Sequence, residues 1–171
     1  MTELFSSPDN ISWGEFAARM FAATLFPLLI GLERFLRKKP IDYRPFVIIS
    51  VGACGLALAS MELLSSSGDS QMQVDPSRVF QGVITGIGFL GAGAMFREGS
   101  FVQGAGSAAA IWAAGAIGLV CGFGDLWLAA TMTAIILILL IVSGPFTEQW
   151  DGSTESSPDS DDSRKDAAQA D

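Results

Sequence analysis

Residues Val79–Phe96, VFQGVITGIGFLGAGAMF, form a run of eighteen uncharged residues between Arg78 and Arg97. That is about the length a single helix needs to cross a hydrocarbon layer of roughly 30 Å. The run contains Gly82, Gly86, Gly88, Gly91 and Gly93, each of which would cost a helix in water about 1 kcal/mol relative to Ala. In lipid, an unsatisfied backbone costs more than that, so the helix is retained, and the missing side chains let neighbouring backbones come close. At about 100° per residue, Gly82, Gly86 and Gly93 share one face and Gly88 and Gly91 the opposite one. A helix thinned on two sides predicts a central span lying between two partners, with Gly86, Gly88, Gly91 and Gly93 as the close-packing centre.

The rest of the chain supports a membrane setting. Half of its 171 residues are hydrophobic, its mean hydropathy is +0.42, and the apolar residues are gathered into runs, the pattern of a polytopic membrane protein. Four further spans are expected, at about 13–31, 46–64, 105–122 and 126–143, so that residues 1–145 form one five-span, all-α transmembrane domain. The N-terminal segment MTELFSSPDNISWGE lacks the basic region of a cleavable signal, so the first apolar run is expected to remain as a span. In the fourth span Gly106, Ala110, Ala114, Gly118 and Gly122 recur every four residues, a ladder suited to a close, tilted helix crossing. The third span is its expected partner, with a second copy of the protein as the alternative. The fifth span is bulky and is expected to face lipid.

Charge orients the bundle. Short loops carry six basic residues on one side, Arg34, Arg37, Lys38, Lys39, Arg44 and Arg97, against Arg78 on the other. By the positive-inside rule the N-terminus is then external and the C-terminus cytoplasmic. The net charge of −8 comes largely from the end of the chain, since eight of the eighteen acidic residues follow Pro145. Residues 146–171, rich in Ser and Asp, are expected to be a disordered cytoplasmic tail. With the body nearly balanced, no nucleic-acid partner is implied.

Chemistry-bearing residues are few. There is no histidine, and Cys54 and Cys121 lie inside apolar runs, which argues against zinc and Cys-His catalysis and for two buried thiols. No nucleophile-base pair can be assembled, so the chain is read as non-enzymatic, without a cofactor, and with no metal ligand set that can be named. Glu15 and Arg19 stand one helical turn apart at the outer end of the first span, where they read as an interfacial anchor, with a functional intramembrane pair as the alternative. Glu33 lies two residues beyond Gly31 at the inner edge, one turn from Arg37. A surface ion pair is the plain reading there and a functional carboxylate the alternative.

The segments Gly31-Leu32-Glu33-Arg34 followed by a basic loop, Asp75-Pro76-Ser77-Arg78-Val79, the glycine run from Gly86 to Gly93, and AAAIWAAGAIG with a final Leu/Ile-rich span together resemble the MgtC/SapB family of bacterial inner-membrane proteins, over about residues 25–143. That resemblance implies a multi-pass inner-membrane protein linked to adaptation to low magnesium and, in pathogens, to virulence. It implies action by regulating other membrane complexes, with the ATP synthase among the candidates, rather than carriage of magnesium. Gly31, Glu33, Arg34, Asp75, Arg78, Gly86, Gly88, Gly91 and Gly93 are the matched positions. The alternative is a small Mg²⁺ transporter or channel. No acid stands at the mid-membrane level of any expected span, where transported-ion sites normally lie, which weighs against it.

Overall fold

The computed structural model describes residues 11–37, 42–66, 75–98 and 101–151. Among them the chain is helical apart from one short ribbon: α1 Trp13–Leu36, α2 Arg44–Ser66, α3 Pro76–Gly93, β1 Phe96–Glu98, β2 Phe101–Gln103, α4 Ala105–Phe123 and α5 Leu126–Asp151. The strands pair antiparallel, with Arg97 opposite Val102. Contacts divide the chain into two units, Met1–Ile138 and Leu139–Asp171. The first unit contains α1 to α4 and the start of α5, and the second contains the rest of α5. Most of the expected acidic tail lies outside the described residues, but helix α5 continues through 146–151, eight residues past the expected end of the last span at Ser143.

Among the described residues four helices are long and apolar enough to cross a membrane: Trp13–Leu36, Arg44–Leu63, Ala105–Phe123 and Leu126–Ser143. The glycine-rich α3 is not among them. It starts three residues earlier than expected, because Asp75 caps it and Pro76 opens it, and it stops at Gly93, where the chain turns into the ribbon. Pro76, Ser77 and Arg78 therefore belong to the helix, and glycines contribute little hydropathy. The sequence expected five spans, and the described residues hold five helices of which four meet the apolar requirement.

The core is built on α4. In its apolar window 61% of residues are buried, against 11% for α5, so α4 is the central helix and α5 the outermost. Trp127, Ile135 and Ile138 of α5 are exposed, as expected for a lipid-facing surface. The partner of α4 differs from expectation. Gly118 and Gly122 do not face α3 but lie against α2: a Cβ at Gly118 would be driven into the Ser50 backbone, and one at Gly122 would fall 2.6 Å from the Ala57 methyl and 2.7 Å from the Cys54 carbonyl oxygen. Ser50, Ala53, Cys54 and Ala57 are all buried and follow helical spacing, so α2 offers a small-residue face of its own. Where both helices lack bulk, their backbones approach and dispersion contacts accumulate.

Helix α3 closes on α4 through apolar side chains. Phe80 stacks on Phe123 with ring centroids 4.5 Å apart, Ile87 fills the space left by Gly115, and Gly91 lies against the Ala108 carbonyl. The expected close-packing centre in α3 is therefore not found among the described residues. Gly82, Gly86, Gly88 and Gly93 have open space where a Cβ would be, and only Gly91 of the run touches a neighbouring helix.

These contacts predict opposite responses in two glycines. Gly118→Ala should lower stability by about 1–3 kcal/mol, the usual cost of forcing atoms into a packed contact. Gly86→Ala should leave it unchanged or raise it by up to about 1 kcal/mol through helix propensity. Thermal melting of both variants in one detergent checks this, and equal losses would contradict it.

Candidate functional site

The buried stripe of α1 reads Arg19, Ala22, Ala23, Pro27, Ile30, Gly31, Arg34, in steps of three and four that keep one face toward the bundle. It begins and ends in arginine. Fifteen residues separate Arg19 from Arg34, and fifteen separate Ser107 from Gly122, which at 1.5 Å per residue is about 22 Å of helix in each case. Run antiparallel, the two helices match at both ends, and an arginine of α1 reaches each terminus of α4.

Arg19, 6% exposed, donates from Nη1 to the Gly122 carbonyl at 2.7 Å and from Nη2 to Glu15 at 2.5 Å. The last carbonyls of a helix have no partner within it, and a cation there also meets the negative end of the helix dipole. Gly124, at φ +93°, ends α4 in the left-handed region, and a Cβ there would fall 2.8 Å from Arg19 Cζ. Glycine is thus required twice over at that position, for its backbone conformation and for the space the guanidinium occupies. The expected pair exists, and its arginine is in addition a buried cap on α4.

At the other end Arg34, 9% exposed, donates from Nη2 to Ser107 Oγ at 3.0 Å. The same nitrogen lies 3.3 Å from where a Cβ of Gly106 would stand. Next to it Glu33 forms an ion pair with Arg37 at 2.5 Å, with the Glu33 side chain 10% exposed. Neither Glu33 oxygen accepts a hydrogen bond, and Arg34 Nε donates none, among the described residues. Gly31 closes this end: a Cβ there would meet the Tyr43 backbone at 3.0 Å and the Phe46 ring at 3.1 Å, so glycine lets the end of α1 pack against the start of α2.

The structure thus brings Gly31, Glu33 and Arg34 together and adds Arg37, Gly106 and Ser107 to them. It does not bring Asp75 and Arg78 there. Those two start α3, at the end of the bundle where Phe80 meets Phe123, and both are exposed. Asp75 Oδ1 accepts from the Ser77 N–H at 2.9 Å, and the Ser77 hydroxyl together with that N–H holds the Asp75 carboxyl below its ordinary value. Sequence reasoning missed Ser107 and undervalued Arg19. The signal was available, since both arginines fall on the same three-and-four spacing as Ala22, Ala23, Ile30 and Gly31. Cys54 and Cys121 are free and buried. Among the described residues no three His, Cys, Asp or Glu side chains come together as a metal site.

Residues 20–149 match the family model described as the MgtC family. The chain belongs to the MgtC family. Similar MgtC-family sequences include Protein MgtC of Salmonella typhimurium, 39% identical over 69% of this chain and 48% of that protein, and Protein MgtC of Brucella abortus, 36% identical over 77% of this chain and 52% of that protein. An uncharacterized protein of Haemophilus influenzae is 33% identical over 88% of this chain and 62% of its own length. The chain therefore spans about half the length of the curated MgtC relatives it matches. No solved structure matches it.

Two measurements follow from this arrangement. Arg19→Gln should cost about 1.5–3 kcal/mol, the range for a buried hydrogen bond to a charged group, whereas Arg44→Gln, at a pair whose arginine side chain is 72% exposed, should cost little. Denaturation of the two variants side by side checks the contrast. For Asp75 the folded pKa is the lower one, so its contribution is present above the unfolded value and is lost as pH falls through the folded value. Asp75→Ala should weaken the acid-side loss of stability in a melting series run from neutral pH downward.

Proposed function

We propose that this chain is a non-enzymatic regulator in the bacterial inner membrane, acting through helix contacts on other membrane complexes during adaptation to low magnesium, the role linked to virulence in pathogens. The observation that carries this reading is the outward face of α3. On it Gly82, Gly86 and Gly93 have open space where a Cβ would be, among the described residues, Phe89 on the same face is 80% exposed, and the helix is not apolar enough to rank as a spanning segment. A face of glycines around one exposed aromatic suits contact with another membrane helix, whether of a larger complex such as the ATP synthase or of a second copy. The six-to-one basic asymmetry supports an external N-terminus and a cytoplasmic C-terminus.

The distribution of charge supports regulation over transport. The described charged groups of α1 lie at the two ends of the bundle, Glu15 with Arg19 and Glu33 with Arg34 and Arg37. Between them the interior is lined by Ala22, Ala23, Ser50, Ala53, Cys54, Ala114 and Gly118. A hard cation such as Mg²⁺ needs several oxygen ligands, usually including a carboxylate.

Reconstitution into liposomes should give Mg²⁺ uptake equal to that of protein-free vesicles. A photoreactive residue at Gly86 should cross-link to protein in native membranes, and one at Ile135 on α5 should not. Saturable Mg²⁺ flux, or no protein adduct at Gly86, would contradict the proposal.

A further inference from the structure

Helix α4 begins without a cap. Gly104, at φ +87°, precedes it and supplies no side-chain hydrogen bond, and the first described backbone bond at this end runs from Ala108 N–H to the Gly104 carbonyl at 2.8 Å. The N–H groups of Ala105, Gly106 and Ser107 point out of the helix end, as first-turn N–H groups do, and Ala105 and Gly106 are exposed. The positive end of the α4 dipole lies here as well. A cation is the wrong charge for this position, yet Arg34, a residue 9% exposed, reaches this turn with its guanidinium, bonds Ser107 Oγ, and keeps its buried Nε without an acceptor among the described residues. Glu33 beside it is paired with Arg37. The three side chains together carry one net positive charge, added to that of the helix end.

An uncapped helix N-terminus and a buried guanidinium with an unused donor, held together by a shared serine, want the same thing: an anion with several acceptor oxygens. Backbone N–H groups and an arginine fork both match a phosphate group, the fork through parallel N–H···O bonds. Among the described residues Arg34 Nη2, at 3.3 Å, is the one atom within 4 Å of where a Cβ of Gly106 would stand, so no other side chain lies between that glycine and the guanidinium.

We propose that Arg34, Ser107 and the first-turn N–H groups of Ala105, Gly106 and Ser107 form a binding site for one phosphate group at the N-terminal end of α4. The group is either inorganic phosphate or the phosphate of a lipid headgroup, since α1 ends at Leu36, only two residues beyond Arg34.

The test uses the full-length protein in a non-ionic detergent. In one arm sodium phosphate is titrated calorimetrically at ionic strength held constant with chloride. In the other, phosphatidylglycerol is added and bound lipid is counted by native mass spectrometry. One saturable equivalent is expected in at least one arm. Binding in the phosphate arm alone assigns a soluble phosphate, and binding in the lipid arm alone assigns a headgroup.

Arg34→Lys, which keeps the charge but loses the fork, and Gly106→Leu, which covers the guanidinium while favouring the helix, should each weaken binding at least tenfold. The elution profile of Gly106→Leu should match that of the parent. Independently of any variant, the probe that binds should slow amide hydrogen exchange in residues 105–107. Absence of saturable binding in both arms, tenfold-intact binding in a folded variant, or unchanged exchange at 105–107 would overturn the proposal.

Discussion

The fold depends on the close approach of α2 and α4. Gly118 faces the Ser50 backbone and Gly122 faces Cys54 and Ala57, at separations where even one methyl group would collide. In water such a contact would be driven largely by removing apolar surface from solvent. In lipid, where the tails are as apolar as the side chains, it rests on packing, and packing is strongest where no side chain holds the backbones apart. The remaining helices take their positions from this pair. Helix α1 lies against both of its members, α3 enters through Ile87 at Gly115, and α5 stays at the outside with exposed Trp127 and Ile135.

The two arginines of α1 turn that packing into a register. Each is buried, and each is bound to one end of α4: Arg19 to a carbonyl at the C-terminal end, Arg34 to a serine at the N-terminal end. Sliding α1 along α4 by a single turn would break both bonds, leaving Arg19 with only Glu15 of its own helix and the buried Arg34 without its serine, which is expensive in a low-dielectric setting. About 22 Å of helix lies between the two arginines, less than the roughly 30 Å hydrocarbon layer. Both charges can therefore sit near the layer's edges while their stems pack among Ala22, Ala23 and Ile30. The ends differ in sign logic. Arg19 complements the dipole end it meets and Arg34 opposes it, and this mismatch is what distinguishes the Arg34 end as a place for an added anion.

The architecture was legible to different degrees in different segments. Helices α1, α2, α4 and α5 follow from apolar runs whose lengths match a span, and the four-residue ladder of α4 correctly marked a close crossing. What the ladder could not name was its partner, because a stripe of small residues says that something comes near and not what it is. The glycines of α3 misled for the same reason. Their number suggested the packing centre, but only Gly91 has a neighbouring backbone, and α3 meets α4 mainly through Phe80 and Ile87. Its start was readable from Asp75-Pro76, a cap followed by a proline at the first helical position. The paired strands Phe96–Glu98 and Phe101–Gln103 left no such mark. At the candidate site, Glu33 and Arg34 were visible as a motif, whereas Ser107 became visible only once α1 and α4 lay antiparallel in register.

The most direct measure of the α2–α4 contact is a double-mutant cycle between Gly122→Ala and Ala57→Gly, read as unfolding free energy in one detergent. The two positions meet across the contact, where the added methyl of the first would fall on the methyl removed by the second. The account predicts that Gly122→Ala alone is destabilising and that the double variant recovers part of the loss, with a coupling of about 0.5–3 kcal/mol, the range for residues in contact. Recovery should be incomplete, because the Cys54 carbonyl stays in place. Simple additivity of the two substitutions would contradict it, and would mean that α4 does not meet α2 through Gly122.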